Sequence, residues 1–95
     1  MISCKKLSYA SHIFIRHPEV HTVDIEKCVR NPNEIYIDTN TQYYMLLRKL
    51  NDKWICCVVD KCDNECIIAS AWYMYEEKKR RYVFGKLRRG EWKKI

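Results

Sequence analysis

The chain has 95 residues, of which 47% are hydrophobic and 32% are charged, with only two glycines and two prolines. This length fits a single domain over residues 1–95, and this composition excludes a linker or a disordered chain. No run approaches the ~20 apolar residues of a membrane helix, and no apolar stretch follows Lys5 and Lys6 as in a signal peptide. We therefore expect a cytoplasmic protein with no membrane partner.

Positive charge is concentrated at the C-terminal end. The net charge is +6, and residues 76–95 carry nine lysines and arginines against three glutamates, whereas residues 1–75 are balanced. A cationic segment of this kind favours a polyanion such as nucleic acid, because neutralised phosphates release their counterions. A solvated segment that only keeps the protein in solution is the alternative, and charge alone does not decide between the two.

The cysteines carry a weak metal signal. There are six of them: Cys4, Cys28, Cys56, Cys57, Cys62 and Cys66. Without a secretory signal we expect reduced thiols rather than a disulfide framework. Cys62 and Cys66 have spacing for two zinc ligands, but no second such pair lies nearby, and Pro18 breaks the helical face that His17 and His21 would need. We expect no metal and no cofactor.

Two helical patterns begin the chain. Apolar residues at helical spacing predict a first helix over residues 7–17, which places His12 and Arg16 on one face and ends before Pro18. Thr22 is the expected N-cap of a second helix over residues 23–30. That helix would bury one apolar side, formed by Ile25, Cys28 and Val29.

The pattern then changes to the alternation typical of strands. Short polar turns separate four predicted strands, over residues 34–38, 42–50, 54–59 and 66–72. Such short links imply an antiparallel meander, because parallel pairing needs a long crossover. Beyond them, residues 75–81 continue as a helix or leave as an arm, and residues 82–84 are a candidate short strand.

The predicted fold class is α+β. Two N-terminal helices pack on one face of the four-stranded antiparallel meander, giving two layers over residues 7–75. Residues 76–95 follow as a basic C-terminal segment.

Several short motifs stand in an order shared with one protein family. They are His12-x-x-x-Arg16-His17-Pro18-Glu19-Val20, Asn31-Pro32-Asn33-Glu34-Ile35 and Ile67-Ile68-Ala69-Ser70-Ala71-Trp72. With these motifs the chain resembles the small phage- and mobile-element-associated branch of the barnase–EndoU–colicin–RelE-like (BECR) group, over about residues 8–75. The resemblance implies N-terminal helices on a four-stranded antiparallel sheet, metal-independent ribonuclease activity, and a toxin setting in which an antitoxin-like protein is a partner. Ser70 stands where the family commonly has threonine, and it retains the hydroxyl.

The candidate catalytic residues follow from the needs of metal-free RNA cleavage. The reaction requires a base for the 2′-hydroxyl, an acid for the 5′-oxygen and donors for the charge on phosphorus. His12 is the first candidate for base or acid, and a surface histidine is its alternative. Arg16 would bind the scissile phosphate or pair with Glu19. His17 either replaces His12 or caps the helix C-terminus, and Ser70 bonds either a phosphate oxygen or the strand backbone.

The candidate RNA-binding residues combine aromatic rings with positive charge. Trp72 and Tyr44 are candidates for stacking on unpaired bases, with burial in the core as the alternative. The basic run that follows the aromatic cluster is either an RNA-binding patch or an ordinary charged helix face: Lys78, Lys79, Arg80 and Arg81. The sequence therefore predicts a metal-independent endoribonuclease that acts on RNA. A nucleic-acid-binding module without catalysis and a protein-interaction unit are the alternatives.

Overall fold

A computed structural model describes residues 4–11, 13–62 and 64–95. Within them, six strands form one mixed sheet: β1 (Lys6–Tyr9), β2 (Glu34–Asp38), β3 (Tyr44–Lys49), β4 (Trp54–Cys62), β5 (Glu65–Met74) and β6 (Trp92–Lys94). The helices are α1 (Ile13–Arg16), α2 (Thr22–Arg30) and α3 (Glu76–Arg88). No helix in these described ranges is both long and apolar enough to cross a membrane.

The spatial order of the strands is β1-β5-β4-β3-β2-β6. Strands β2 to β5 form the antiparallel meander that the short turns predict, and β6 adds to β2 in antiparallel orientation. β1 pairs with β5 in parallel, from Lys6 opposite Glu65 to Tyr9 opposite Ile68. The sheet is therefore mixed, with six strands rather than four.

The predicted fold class is wrong in its N-terminal part. Residues 7–17 were expected to form one helix, but Lys6–Tyr9 is an edge strand and α1 is a single turn. Hydrogen bonds to β5 hold this segment in an extended form, and Ala10 N–H donates to the Ile68 carbonyl at its end. Tertiary pairing thus overrides the helical spacing of the apolar residues. The second helix is confirmed, because α2 spans Thr22–Arg30 and buries the three predicted side chains, but its N-cap is His21 and not Thr22.

The fold class is also wrong in its C-terminal part. Residues 76–95 are not an extension: α3 covers the second face of the sheet and β6 completes one edge. The expected short strand over residues 82–84 lies inside α3. Glutamates in the first turn of α3 and basic residues in its last turn complement the helix dipole, which explains a helix in so charged a stretch.

Gly90 ends α3 and turns the chain into β6. Its φ is 72°, a left-handed conformation that favours glycine. Gly90 N–H donates to the Leu87 carbonyl and Glu91 N–H to the Lys86 carbonyl, which is the bond pattern of a Schellman motif. The turn returns the chain beside β2, where Thr39 N–H donates to the Glu91 carbonyl.

Each face of the sheet carries its own buried cluster, so the fold has three layers instead of two. The cluster between α2 and the sheet includes Ile25, Cys28, Leu46, Ile55, Cys57 and Ile68. The cluster between α3 and the sheet includes Tyr36, Leu47, Cys56, Met74, Val83 and Trp92. Because β4 is covered on both sides, its apolar run over residues 54–59 is almost continuous.

A disulfide joins Cys4 to Cys66, with their Cα atoms 5.5 Å apart. The expectation of reduced thiols is therefore wrong for this pair. The bond fastens the chain just before β1 to the buried side of β5. Cys28, Cys56 and Cys57 are free and buried.

Candidate nucleic-acid interface

A cationic groove runs along one side of α3, with a volume of about 400 Å³. Its lining residues follow helical spacing: Lys78, Arg81, Tyr82, Gly85 and Arg89. We call this feature the α3 groove. Three of its five residues are cationic and none is acidic. Lys78 and Arg81 are exposed, and neither takes part in the ion pairs among the described residues.

The four residues of the predicted basic run point in different directions. Lys78 and Arg81 line the groove, whereas Arg80 is exposed outside it. Lys79 is buried beneath the helix, where its ammonium donates to the Glu34 carboxylate at 2.5 Å and lies 3.9 Å above the Trp54 ring. Lys79 therefore supports the helix from inside, and only part of the run faces a ligand.

Gly85 and Arg89 shape the distal end of the groove. A Cβ atom on Gly85 would lie 3.0 Å from a terminal guanidinium nitrogen of Arg89, so the absent side chain leaves room for that guanidinium. Arg89 Nε also donates to Glu91, at 2.5 Å. Hydrogen bonds from Arg89 and from Lys86 hold the pKa of Glu91 below its usual range. Glu91 thus offsets part of the positive charge at this end.

The inner wall of the groove is aromatic and tightly packed. Tyr82 meets the rings of Trp72 and Trp92 edge-on, with centroids 6.1 Å and 5.5 Å away. The ammonium of Lys86 lies 5.5 Å from the centre of the Tyr82 ring. Burial raises the pKa of the Tyr82 phenol. These contacts make Tyr82 a rigid, neutral wall.

A β-bulge places Ser70, together with Trp72, on the α3 face of the sheet. The pairing of β4 with β5 shifts at this point, so Val58 faces Ser70 while Val59 faces Ile68. One extra residue in a strand reverses the faces of the residues that follow. Without the bulge, Ser70 would share the α2 face with Ile68. With the bulge, Ser70 lies on the α3 face.

His17 borders the other side of Trp72. β1 pairs with β5 only as far as Ile68, so the chain around His17 reaches the open edge of β5 beyond it. The rings of His17 and Trp72 have centroids 6.4 Å apart, and His17 Nδ1 lies 3.5 Å from the Glu19 carboxylate. His17 is partly exposed directly after α1. Glu19, expected as a partner of Arg16, lies instead beside His17.

Three further residues were predicted for the site: Arg16, His12 and Tyr44. Arg16 is exposed at the end of α1. His12 lies outside the described residues. Tyr44 pairs with Val59 on β4 and packs against the cluster under α2, so it lies on the opposite face of the sheet from the α3 groove.

The sequence does not predict three residues of the groove: Tyr82, Gly85 and Arg89. A helix over 76–88 would have revealed them, because they share one helical stripe with Lys78 and Arg81. The expected short strand over residues 82–84 concealed that stripe.

The described residues offer no cluster of three or more metal-ligating side chains. Cys66 is held in the disulfide, which removes it from a zinc pair with Cys62. The side chain of Cys62 is outside the described part of the chain.

Comparisons with protein-family models, curated proteins and solved structures find no match to this chain.

Proposed function

We propose that this protein is a ribonuclease-like protein that binds single-stranded RNA along the α3 groove and cleaves it without a metal ion. The observation that carries the proposal is the groove itself, where Lys78, Arg81 and Arg89 line one stripe of a rigid helix. Cations held along one line neutralise successive phosphates, which gives affinity without base specificity.

We propose that cleavage takes place at the part of β5 that carries Ser70 and Trp72, next to His17. His17 is partly exposed, lies beside Trp72 and has a carboxylate near Nδ1, an arrangement that suits an acid or base. Ser70 lies two residues before Trp72 on the same face and offers a hydroxyl for a phosphate oxygen. His12 stays a candidate from the sequence.

The BECR resemblance supports this activity as an expectation, and it brings a cytoplasmic setting and an antitoxin-like protein partner into the proposal. In such a setting the cationic side of α3 would be the surface that an acidic partner blocks. Binding of RNA and binding of such a partner would then be mutually exclusive.

Binding is tested by fluorescence anisotropy of an unstructured RNA oligonucleotide with purified protein. Lys78→Gln/Arg81→Gln should weaken binding by tenfold or more, since two phosphate contacts are removed. Lys27→Gln/Arg30→Gln is the matched control, because it removes the same charge from exposed positions on α2 at the opposite face. Equal losses in the two variants would show that net charge, and not the groove, binds RNA.

Cleavage is tested by incubation of total RNA with the protein in EDTA. His17→Ala should lower the cleavage rate about a hundredfold or more, the usual contribution of an acid or base. His21→Ala is the control, because His21 is an exposed N-cap residue whose side chain makes no capping bond. Unchanged cleavage in His17→Ala, with loss in His12→Ala, would move the catalytic role to His12. Absence of cleavage in EDTA would reduce the function to RNA binding.

A further inference from the structure

Phe84 presents a bare aromatic ring on the outer side of α3. Its surface is 64% exposed, although a phenylalanine is normally removed from water. Helical spacing surrounds it with cations, since Arg81 is one turn before it and Arg88 is one turn after it, both exposed. Arg81 also lines the α3 groove, so Phe84, which is not itself a lining residue, neighbours one edge of that groove.

Two rings at the groove, Tyr82 in its lining and Trp72 behind it, already have partners. Tyr82 contacts Trp72, Trp92 and the ammonium of Lys86. Trp72 lies between His17 and Tyr82. Among the described residues of α3, Phe84 is the ring that neither another ring nor a cation covers. A nucleobase that leaves the groove past Arg81 would meet an uncovered ring at Phe84.

We propose that Phe84 is a stacking platform for an unpaired base of the RNA bound in the α3 groove, an inference that rests on the proposed function. Arg81, which lines the groove, holds the phosphate next to the stacked nucleotide, and Arg88 lies on the other side of the ring. Bases within a duplex are stacked on one another and cannot occupy this platform, so Phe84 selects single-stranded over double-stranded RNA. Stacking on an aromatic ring tolerates every base, so the platform gives no strong sequence preference.

The test compares affinities of Phe84→Ala, Phe84→Tyr and the parent protein for an unstructured RNA. Phe84→Ala should weaken binding about tenfold and leave its salt dependence unchanged, because no charge is lost. Phe84→Tyr should bind as the parent does. Leu87→Ala is the matched control: it removes an exposed apolar side chain from the same helix without removing a ring, and it should bind within about twofold of the parent.

An abasic RNA separates stacking from any indirect effect of the substitution. The parent protein should lose about tenfold in affinity when the bases are removed, whereas Phe84→Ala should lose almost nothing further. In the parent, the Phe84 ring protons should move upfield on binding of base-containing RNA.

Two results would overturn the inference. In the first, Phe84→Ala binds RNA as tightly as the parent while Lys78→Gln/Arg81→Gln binds weakly. RNA binding in the groove would then be supported, but Phe84 would not be a stacking platform and would belong to another surface, such as one that docks a protein. If the parent shows no salt-dependent RNA binding, the proposed function fails as well. Phe84 is exposed, so its variants should fold, and circular dichroism checks this.

Discussion

Glu34 at the start of β2 accepts a hydrogen bond from the buried ammonium of Lys79 on α3, at 2.5 Å. The second oxygen of the same carboxylate accepts from the Tyr36 hydroxyl at 2.7 Å, and Glu34 thereby raises the pKa of Tyr36 in addition to the larger effect of burial. This pair fixes the rotation of α3 about its axis. With Lys79 turned inward, Lys78 and Arg81 turn toward the groove.

Lys79 and Lys78 should therefore differ in what they do. Lys79→Met should lower the free energy of unfolding by about 2–3 kcal/mol, since it leaves the partly buried Glu34 carboxylate without its cation. Lys78→Met should change stability by less than about 0.5 kcal/mol, because Lys78 is exposed, and should weaken RNA binding. Urea unfolding and anisotropy measure the two effects.

Glu34→Gln provides the check on that assignment. In the Lys79→Met background it removes the unpaired charge and should recover part of the lost stability. If Lys79→Met and the double variant are equally stable, the ion pair is not what holds α3.

Gly85→Ala should change stability and binding in opposite directions. Alanine in a helix interior is about 0.5–1 kcal/mol more favourable than glycine, so thermal unfolding should move to higher temperature. The new Cβ would displace the Arg89 guanidinium from the groove, and RNA affinity should fall by a few-fold. An unchanged affinity in the stabilised variant would remove Arg89 from the interface.

The ionised carboxylate of Asp38 should stabilise the fold at neutral pH and lose this effect in acid. Backbone N–H groups of Thr41 and Asn40 donate to its carboxylate, and the hydrogen bond from Thr41 is the largest cause that lowers the pKa of Asp38 in the folded protein. A carboxyl with a lowered folded pKa stabilises the fold above its unfolded pKa of about 3.9, and this contribution disappears as the pH falls through the folded value.

Asp38→Asn should therefore be less stable than the parent at pH 7, and the difference should shrink toward pH 2. Urea unfolding across that range tests the expectation. A difference that is constant with pH would mean that the charge of Asp38 has no part in the effect.

The Cys4–Cys66 disulfide joins residues 62 positions apart. It should raise the free energy of unfolding by about 2–4 kcal/mol, because it restricts the conformations of the unfolded chain. Reduction of the parent should lower the unfolding temperature and release two additional thiols. Cys4→Ser, which removes the half-buried partner, should unfold at the temperature of the reduced parent even without reductant, and reductant should not lower that temperature further. If reductant shifts both proteins equally, the bond is not between these residues.

The elements that local pattern predicts well are α2 and the meander β2 to β5. The helical spacing of Ile25, Cys28 and Val29 predicts α2 correctly, because these are the residues that the helix buries. The N-terminal strand was missed because its partner, β5, lies almost 60 residues later in the chain, and no local signal reports that pairing. Pairing with β5 makes this segment a strand although its apolar residues have helical spacing.

The interface was only partly predictable for a similar reason. Lys78 and Lys79 are neighbours in one basic run, and only the position of Glu34, 45 residues before Lys79, determines which of them is buried. The face on which Ser70 lies depends on a bulge in β5, and the alternation of apolar and polar residues does not predict that bulge. The charge of the segment was predictable, but the direction in which each charge points was not.

The salt dependence of RNA binding tests the central claim most directly. A single-stranded RNA held by Lys78, Arg81 and Arg89 should give a slope of log affinity against log salt of about −2, since each contact contributes about −0.7. Lys78→Gln/Arg81→Gln should reduce that slope to about −0.7, whereas Lys27→Gln/Arg30→Gln on the opposite face should keep the parent's slope. Parallel lines for the parent and the groove variant would contradict RNA binding in the α3 groove.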